Sequence, residues 1–223
     1  MKNNQYLAKS TILLTGGAGF IGSHIADKLL ELGASVVIVD DLCSGRKENI
    51  PDGAIFYKTN IIDYKKLSNI FSVHNFDYII HEAAKINTNV MLEDPIEDVK
   101  SSILGTLNLL KLAVKHSVKK FIYASSVAVY GRPKKLPARE NDELMPIYSY
   151  GIVKKCTEEY IKYFSDNYKV NYSILRYGNV FGPRQPIFGE VGVIAIFTEK
   201  IISGENLVVF GNGSNLRDYI FID

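Results

Sequence analysis

The chain has 223 residues, 47% of them hydrophobic and 22% charged, which suits one large domain, or one domain with a small appendage, around a substantial core. Its formal net charge is only +2 and its basic cluster at 115–120 is short, which argues against nucleic acid as a partner. Cys43 and Cys156 lack metal-ligand or disulfide spacing and no apolar run could span a bilayer, which favours a reducing cytoplasm without metal or membrane partners.

Short β-rich runs alternate with helical patterns along the chain, which is typical of βαβ units around a parallel sheet. The runs predict strands at 11–15, 35–40, 54–58, 78–81, 120–125 and 172–177, and two shorter strands at 207–210 and 217–222. The helical patterns predict helices at 20–32, 64–71, 95–116, 148–168 and 192–202. We therefore predict an α/β fold, with a Rossmann-like doubly wound parallel sheet in a nucleotide-binding domain over 1–177 and a small, partial substrate-binding lobe over 178–223.

The first predicted strand runs directly into the glycine-rich segment TGGAGFIG at 15–22, which then opens a helix. Closely spaced glycines let the backbone turn sharply toward a ligand, and the free N–H groups at the helix start face phosphates. The next predicted strand ends in Asp40, at about the ~20-residue distance expected for an acid that binds a ribose, and its carboxylate would repel a 2′-phosphate. The segment therefore predicts a pyrophosphate site for NAD rather than NADP. The alternative is an ordinary turn between strand and helix with an N-capping acid nearby.

A second informative group contains Tyr150 and Lys154, which are four residues apart on a predicted helix and so share one face. The lysine and a cationic nicotinamide ring would favour the phenolate and bring the pKa of the tyrosine, ordinarily about 10, toward neutrality. The predicted strand before this helix ends in Ser125 and Ser126, which would point hydroxyls at the carboxyl edge of the sheet. The alternatives are a surface Tyr–Lys pair and serines that merely end a strand.

Seven segments occur in a specific order along the chain: TGGAGFIG, VDDL, HEAA, SSVAVYG, YGIVK, RYGNVFGPRQ and RDYIFID. In this order they resemble the extended short-chain dehydrogenase/reductase superfamily, in its nucleotide-sugar epimerase/dehydratase branch, over essentially the whole chain. The resemblance implies NAD as the cofactor, a nucleotide sugar as the substrate, and a homodimer formed through the long helices at 95–116 and 148–168. Similar proteins continue past the position of Asp223, so the resemblance also implies that 178–223 hold only part of the substrate lobe.

The resemblance assigns cofactor roles position by position. The pyrophosphate and the adenosine would be held by residues of the glycine turn and of the segments after the second and third strands: Gly16, Gly19, Phe20, Ile21, Gly22, Asp40, Asp41, Leu42, Ser44, Gly45, Asn60 and Ile61. An aspartate is more usual at position 60. The residues expected at the nicotinamide half are Ala83, Ala84, Lys85, Tyr150, Lys154 and Tyr177.

The resemblance makes Ser126, Tyr150 and Lys154 the catalytic residues. Tyr150 would take a proton from a sugar hydroxyl, Ser126 would hydrogen-bond the same oxygen, and Lys154 would bind the nicotinamide ribose. In addition to Ser126 and Tyr150, the substrate would contact Lys85, Asn179, Val193, Ile194, Val208, Phe210 and Arg217.

The residues after the catalytic serine bear on the choice of reaction. Dehydratases and decarboxylases of this branch typically carry an acid there, whereas this chain has Val127 and Ala128. Without that acid, the simplest fate of a transient 4-keto sugar is reduction from the opposite face, which is 4-epimerisation. The resemblance, and not the residues themselves, favours UDP-glucose and UDP-galactose as the substrate pair. The alternatives are another nucleotide-sugar dehydratase, reductase or epimerase, and a non-catalytic sensor or scaffold that binds NAD. A further departure from the family pattern is Glu82 within HEAA.

Overall fold

Strands and helices alternate through residues 4–84, 96, 99–187 and 192–223, which the computed structural model describes. The α-helices are α1 Asn4–Leu7, α2 Phe20–Glu31, α3 Tyr64–Val73, α4 Gly105–Lys115, α5 Ser149–Tyr168 and α6 Val193–Ile202. The strands are β1 Thr11–Thr15, β2 Ser35–Asp40, β3 Ile55–Lys58, β4 Tyr78–His81, β5 Lys120–Ser126, β6 Tyr172–Tyr177, β7 Asn179–Phe181 and β8 Tyr219–Phe221. A π-helical turn at Lys100–Leu104 leads into α4, and 3-10 turns lie at Lys47–Asn49 and Val127–Tyr130.

Six parallel strands form one sheet in the order β3-β2-β1-β4-β5-β6. The chain moves outward from β1 to β3 and then returns to place β4 on the other side of β1. A crevice therefore opens at the carboxyl ends of β1 and β4, where ligands bind in sheets of this kind. This topology confirms the predicted α/β, Rossmann-like fold.

The sheet is covered on both faces, which explains why β1 is apolar at successive positions. Leu13 belongs to a core cluster with Leu67 of α3 and Leu109 of α4. Ile12 and Leu14 belong to a second cluster with α2. Because neighbouring side chains in a strand point to opposite faces, only a strand buried on both faces needs this pattern. None of the described helices is long and apolar enough to cross a membrane.

The six strands of the main sheet and the helices α2, α3, α5 and α6 confirm the predicted elements to within two residues at each end. Helix α4 and the π-helical turn before it end within one residue of the predicted helix at 95–116, and the short helix α1 was not predicted. Of the predicted helix at 95–116, residues 95, 97 and 98 lie outside the described part of the chain.

The C-terminal region differs from the prediction. The strand predicted at 207–210 is wrong, because Val208 and Phe210 there are 55% and 83% exposed in irregular backbone. Alternating β-branched and aromatic residues favour a strand only where a partner strand pairs with them, and no described strand does so here. The strand predicted at 217–222 is confirmed as the shorter β8. It pairs in parallel with β7, which the sequence did not predict because the glycines at 178 and 182 flank only three residues. The boundary between 177 and 178 stays a prediction.

Candidate active site

The turn after β1 leaves no room for a side chain at Gly16 or Gly22. Gly16 has a φ of +73°, and a Cβ atom there would lie 2.6 Å from the backbone nitrogen of Ala83. A Cβ atom at Gly22 would overlap the carbonyl oxygen of Gly16. Gly19 is the N-cap of α2, and no side chain caps the helix. The first N–H groups of α2 are therefore left for an anionic ligand, as a pyrophosphate site requires.

Carboxylates at the end of β2 are fixed by hydrogen bonds. Asp40 accepts from the backbone N–H groups of Ala18 (3.0 Å) and Leu42 (2.8 Å). Burial raises the pKa of Asp40, and the two backbone donors offset part of that effect. Asp41 accepts a 2.7 Å hydrogen bond from the side-chain amide of Asn60. The unusual residue at position 60 thus supplies a donor to a neighbouring anion, where an aspartate would have opposed it.

A cavity of about 570 Å³ joins the glycine turn to the ends of β2 and β4. Its lining includes most of the predicted cofactor residues: Gly16, Gly19, Phe20, Ile21, Gly22, Asp40, Asp41, Ser44, Asn60, Ile61, Ala83 and Ala84. Leu42 and Gly45 are not part of the lining, but the N–H of Leu42 holds Asp40, and a Cβ at Gly45 would lie 2.9 Å from the Cβ of Ala18. Lys85 lies outside the described residues. A glycine-rich turn beside a carboxylate at a strand end fits the pyrophosphate and adenosine ribose of NAD.

Helix α5 and the end of β5 bring the predicted catalytic residues together. Lys154 is only 4% exposed, and its Nζ donates a 2.6 Å hydrogen bond to the carbonyl oxygen of Ala124. The same Nζ lies 5.6 Å from the centre of the Tyr150 ring. Ser126 ends β5, and its Oγ accepts from the backbone N–H of Ala128 at 3.2 Å. The serine therefore caps the next turn while its own O–H proton can still be donated to a ligand.

An acidic residue that the sequence analysis left without a role connects this group to the cavity. Glu82, directly after β4, lines the cavity and accepts a 2.9 Å hydrogen bond from the hydroxyl of Tyr177. Burial raises the pKa of Glu82 to about 7, while the Tyr177 bond and the charge of Lys154 oppose that shift. Burial and the neighbouring Glu82 also raise the pKa of Tyr177. The cavity lining does not include Ser126, Tyr150, Lys154 or Tyr177. Within the described residues, Glu82 therefore links the cavity to the predicted catalytic residues.

His81 of the HEAA segment has a structural role. Its Nδ1 lies 2.7 Å from Oγ1 of Thr15 and its Nε2 lies 2.9 Å from Oγ1 of Thr106. Full burial, with a smaller contribution from Lys154, lowers the pKa of His81 to about 3, so the ring is neutral at physiological pH. It joins β1, β4 and α4 beneath the crevice.

A buried ion pair anchors α5 to the sheet. Arg176 of β6 binds both carboxylate oxygens of Glu158, at 3.0 Å and 2.7 Å. The hydroxyl of Ser125 donates to the same carboxylate at 2.6 Å, and Arg176 also donates to the hydroxyl of Tyr130. The sequence places Glu158 on the same helical face as Lys154, four residues later, but gives no signal for its pairing with Arg176 on another element. The pair fixes the face of α5 that carries Tyr150 and Lys154.

The predicted substrate residues are spread over the C-terminal region. The side chain of Asn179 donates to the backbone oxygen of Asp218 at 3.2 Å, which places it beside the segment that carries Arg217. Arg217 is exposed and donates to the oxygen of Leu216. Ile194 lines a second cavity with Phe181 and Gln185, whereas Val193, Val208 and Phe210 lie on the exposed surface. The structure thus brings Asn179 close to Arg217 and does not gather the four apolar residues, and their roles stay predictions.

Comparisons with known proteins agree with this geometry. The sequence model of the NAD dependent epimerase/dehydratase family matches residues 12–223. The solved UDP-glucose 4-epimerase of Thermotoga maritima, determined with UDP-glucose, has 45% identity and a TM-score of 0.92, with 95% of this chain and 69% of that chain covered. The Thermus thermophilus enzyme of the same name, determined with NAD, has 36% identity and a TM-score of 0.89, covering 95% and 70% of the two chains. A UDP-N-acetylglucosamine 4-epimerase of Methanobrevibacter ruminantium has 33% identity and a TM-score of 0.89, covering 96% and 69%.

The chain belongs to the NAD-dependent epimerase/dehydratase family. This confirms the family resemblance and NAD as the cofactor.

Proposed function

We propose that this protein is an NAD-dependent 4-epimerase of UDP-sugars, with UDP-glucose and UDP-galactose as its substrate pair. The similarity to epimerases determined with UDP-glucose and with NAD supports the proposal. The observation that carries it is the buried Lys154, which lies beside Tyr150 and donates to the oxygen of Ala124 on β5, the strand that ends in Ser126. Val127 and Ala128 occupy the positions at which a dehydratase would need a second proton acceptor.

The proposed mechanism assigns one task to each side chain. Tyr150 removes the proton from the sugar hydroxyl and later returns it, since the positive charge of Lys154, 5.6 Å from the ring centre, favours negative charge on the phenol. Ser126 hydrogen-bonds the same sugar oxygen and keeps it aligned with Tyr150. When bound in the glycine turn, NAD supplies the reversible oxidation of the sugar carbon. Epimerisation requires the keto sugar to turn over while its nucleotide stays held.

Holding the nucleotide is the proposed task of the C-terminal region. Arg217 would form paired hydrogen bonds with the diphosphate, and Asn179, one strand away, would bind the same group. Val193, Ile194, Val208 and Phe210 would contact the uridine, and Lys85 would contact the sugar. The exposure of Val193, Val208 and Phe210 leaves these side chains accessible to a ligand.

A product assay tests the proposal. The protein is incubated with catalytic NAD and UDP-galactose, or with UDP-N-acetylgalactosamine in a parallel reaction, and the nucleotide sugars are separated by chromatography. We expect UDP-glucose without net NADH, at least a hundredfold loss of turnover in Tyr150→Phe (~10² for a lost acid–base group), and retained NADH binding in that variant. Tyr168→Phe, at the exposed end of the same helix, is the control and should turn over normally.

Three results would contradict the proposal. A 4-keto-6-deoxy product identifies a dehydratase, and net reduction of the added NAD⁺ to NADH identifies a dehydrogenase. Binding of NAD without turnover of any UDP-, GDP- or dTDP-sugar identifies a sensor or scaffold. Conversion of only the N-acetylated sugar retains the reaction but replaces the substrate pair.

We also propose a cytoplasmic homodimer formed through α4 and α5. These helices contact each other, and Leu104 before α4 and Ile152 and Tyr163 on α5 are 46%, 55% and 51% exposed. Apolar side chains on paired helices favour a symmetric helical bundle. Sedimentation at micromolar concentration should give twice the 25.0 kDa chain mass, and Tyr163→Asp should shift the protein toward the monomer. A monomeric parent protein would contradict this assembly.

The two cysteines, which lack disulfide spacing, support the reducing cytoplasm as the proposed location.

A further inference from the structure

The carboxyl group of Glu82 lies at the meeting point of three structural elements. It follows β4 directly and accepts a hydrogen bond from the hydroxyl of Tyr177 at the end of β6. The charge of Lys154 on α5 lowers its pKa. Glu82 is half-buried and lines the cavity. The backbone N–H of Glu82 donates to the oxygen of Thr15 at 3.1 Å, which fixes the residue against the start of the glycine turn.

The position of Glu82 in the sheet decides which part of a dinucleotide it faces. Asp40, at the end of β2, lies on one side of β1, and Glu82, after β4, lies on the other. In a sheet of this order the pyrophosphate sits at the turn after β1, with the adenosine toward β2. The remaining half of the cofactor, which includes the nicotinamide, therefore extends toward Glu82.

We propose that the carboxylate of Glu82 is a binding determinant for the oxidised state of the cofactor, favouring NAD⁺ over NADH at the nicotinamide end of the cavity. The nicotinamide ring carries a positive charge in NAD⁺ and none in NADH, whereas the two forms share the same pyrophosphate. A carboxylate beside the ring therefore stabilises one form selectively, and Lys154 acts in the opposite direction. The inference rests on the proposed function only through NAD binding.

The charge of Glu82 depends on pH within the physiological range. Because burial raises its pKa to about 7, the carboxyl is largely neutral at pH 6 and largely ionised at pH 8. The groups that act on it are Lys154 and the hydroxyl of Tyr177, and the ring of the preceding residue, His81, is neutral. The other charged side chains of the cavity lining are Asp40, Asp41, Arg46 and Arg184. Selective binding of NAD⁺ should therefore strengthen as the pH rises through 7.

Equilibrium binding tests the inference without reference to catalysis. The chain contains no tryptophan, so NADH binding can be followed by the fluorescence of its nicotinamide, with NAD⁺ measured by competition from pH 5.5 to 8.5. For the parent protein we expect the NAD⁺ affinity to rise about tenfold between pH 6 and 8 relative to that of NADH. In Glu82→Gln, the affinity for NAD⁺ relative to that for NADH should be about tenfold lower than in the parent protein at pH 8, and it should not change with pH.

Two further variants separate charge from structure. Tyr177→Phe removes a hydrogen bond that lowers the pKa of Glu82, so the midpoint of the NAD⁺ profile should move to higher pH. Glu82→Asp keeps the charge and should recover part of the ratio. Glu159→Gln, which removes an exposed carboxylate on α5, should leave the ratio and its pH profile unchanged.

The results separate the inference from the proposed function. An unchanged ratio and pH profile in Glu82→Gln overturn the inference and leave the epimerase proposal standing. If Glu82→Gln does not fold, an unmoved midpoint in Tyr177→Phe overturns it instead. Failure of the parent protein to bind either form contradicts NAD binding itself.

Discussion

Asn60 and Asp41 form an amide–carboxylate pair at the adenosine end of the cavity. The side-chain amide of Asn60 donates to Asp41 over 2.7 Å, while its oxygen accepts from the backbone N–H of Ile62 at 3.0 Å. Both ends of the asparagine side chain are therefore used. The pair keeps a single negative charge where two carboxylates would repel each other.

Replacing the amide should reverse this effect. Asn60→Asp places an acceptor against Asp41, so one of the two carboxyl groups must bind a proton or move away. We expect NADH affinity to fall about tenfold at pH 8, with a smaller loss at pH 5, measured by nicotinamide fluorescence. The double variant Asp41→Asn with Asn60→Asp restores one amide facing one carboxylate and should recover most of the affinity. Asn69→Asp on the exposed side of α3 is the control. An equal loss of NADH affinity in Asn60→Asp and Asn69→Asp would contradict the explanation.

The raised pKa of Glu82 also predicts how stability changes with pH. Below its ordinary pKa of about 4.5 the carboxyl is neutral in both the folded and the unfolded chain, so its effect is constant. Between pH 4.5 and about 7 the folded chain holds the proton more tightly, so the contribution of Glu82 to stability falls as pH rises. Without added cofactor, Glu82→Gln should therefore gain stability over the parent protein between pH 5 and 8, by at most about 3 kcal/mol in urea unfolding. An equal difference at both pH values would contradict this prediction.

At the scale of elements, the Glu158–Arg176 pair determines where α5 lies against β5 and β6. The carboxylate of Glu158 is fully buried, and it binds Arg176 together with the hydroxyl of Ser125. Arg176 also donates to the backbone oxygen of Glu140, so the pair holds the chain between β5 and α5 as well. An ion pair of this kind fixes geometry more than it adds stability, but removing one partner leaves a buried charge unpaired.

Two neighbouring carboxylates on α5 provide a matched comparison. Glu158→Gln should lower the free energy of unfolding by about 3 kcal/mol, because Arg176 then lacks its counter-charge. Glu159→Gln removes only an exposed pair with Lys162 and should change it by less than about 1 kcal/mol. Urea denaturation followed by far-UV circular dichroism measures both values. Similar losses in the two variants would show that burial of the pair does not matter.

At the scale of the whole molecule, an ion pair between Arg184 and Asp27 joins the C-terminal region to the nucleotide-binding half. Arg184, after β7, binds Asp27 of α2 over 2.7 Å, and Arg184 also lines the cavity. Arg184 has a φ of +65°, a left-handed conformation that a residue with a side chain adopts at some cost in free energy. The ion pair helps to hold this conformation at the rim of the cavity.

This contact should slow the release of the cofactor. Asp27→Asn is expected to raise the dissociation rate of NADH about two- to fivefold, as for loss of a partly exposed ion pair, with a smaller effect at high salt. Glu31→Gln removes an exposed carboxylate from the same helix and is the control. Stopped-flow displacement of NADH measures the rates, and identical rates for all three proteins would exclude a role for the contact.

The sheet, the glycine turn and Asp40 could be predicted from the sequence because each follows from a local pattern with a fixed spacing. The hydrogen bonds of the Asn60 and Glu82 side chains could not be predicted, since each depends on a partner far away in the chain: Asp41 is 19 residues from Asn60, and Tyr177 is 95 residues from Glu82. The wrong strand at 207–210 has the same cause, because pairing with another strand is not a local property. Side chains engaged across the crevice therefore need the fold before they can be interpreted.

The link between Arg184 and Asp27 has a thermodynamic consequence for the two ligands. A nucleotide sugar that binds the region after β7 and stabilises the Arg184–Asp27 contact would strengthen the rim of the dinucleotide cavity. Coupling between two bound ligands is reciprocal, so the dinucleotide must tighten the sugar's binding by the same factor. The recycled cofactor, NAD, would then be retained most tightly during the period in which the nucleotide sugar occupies its own site.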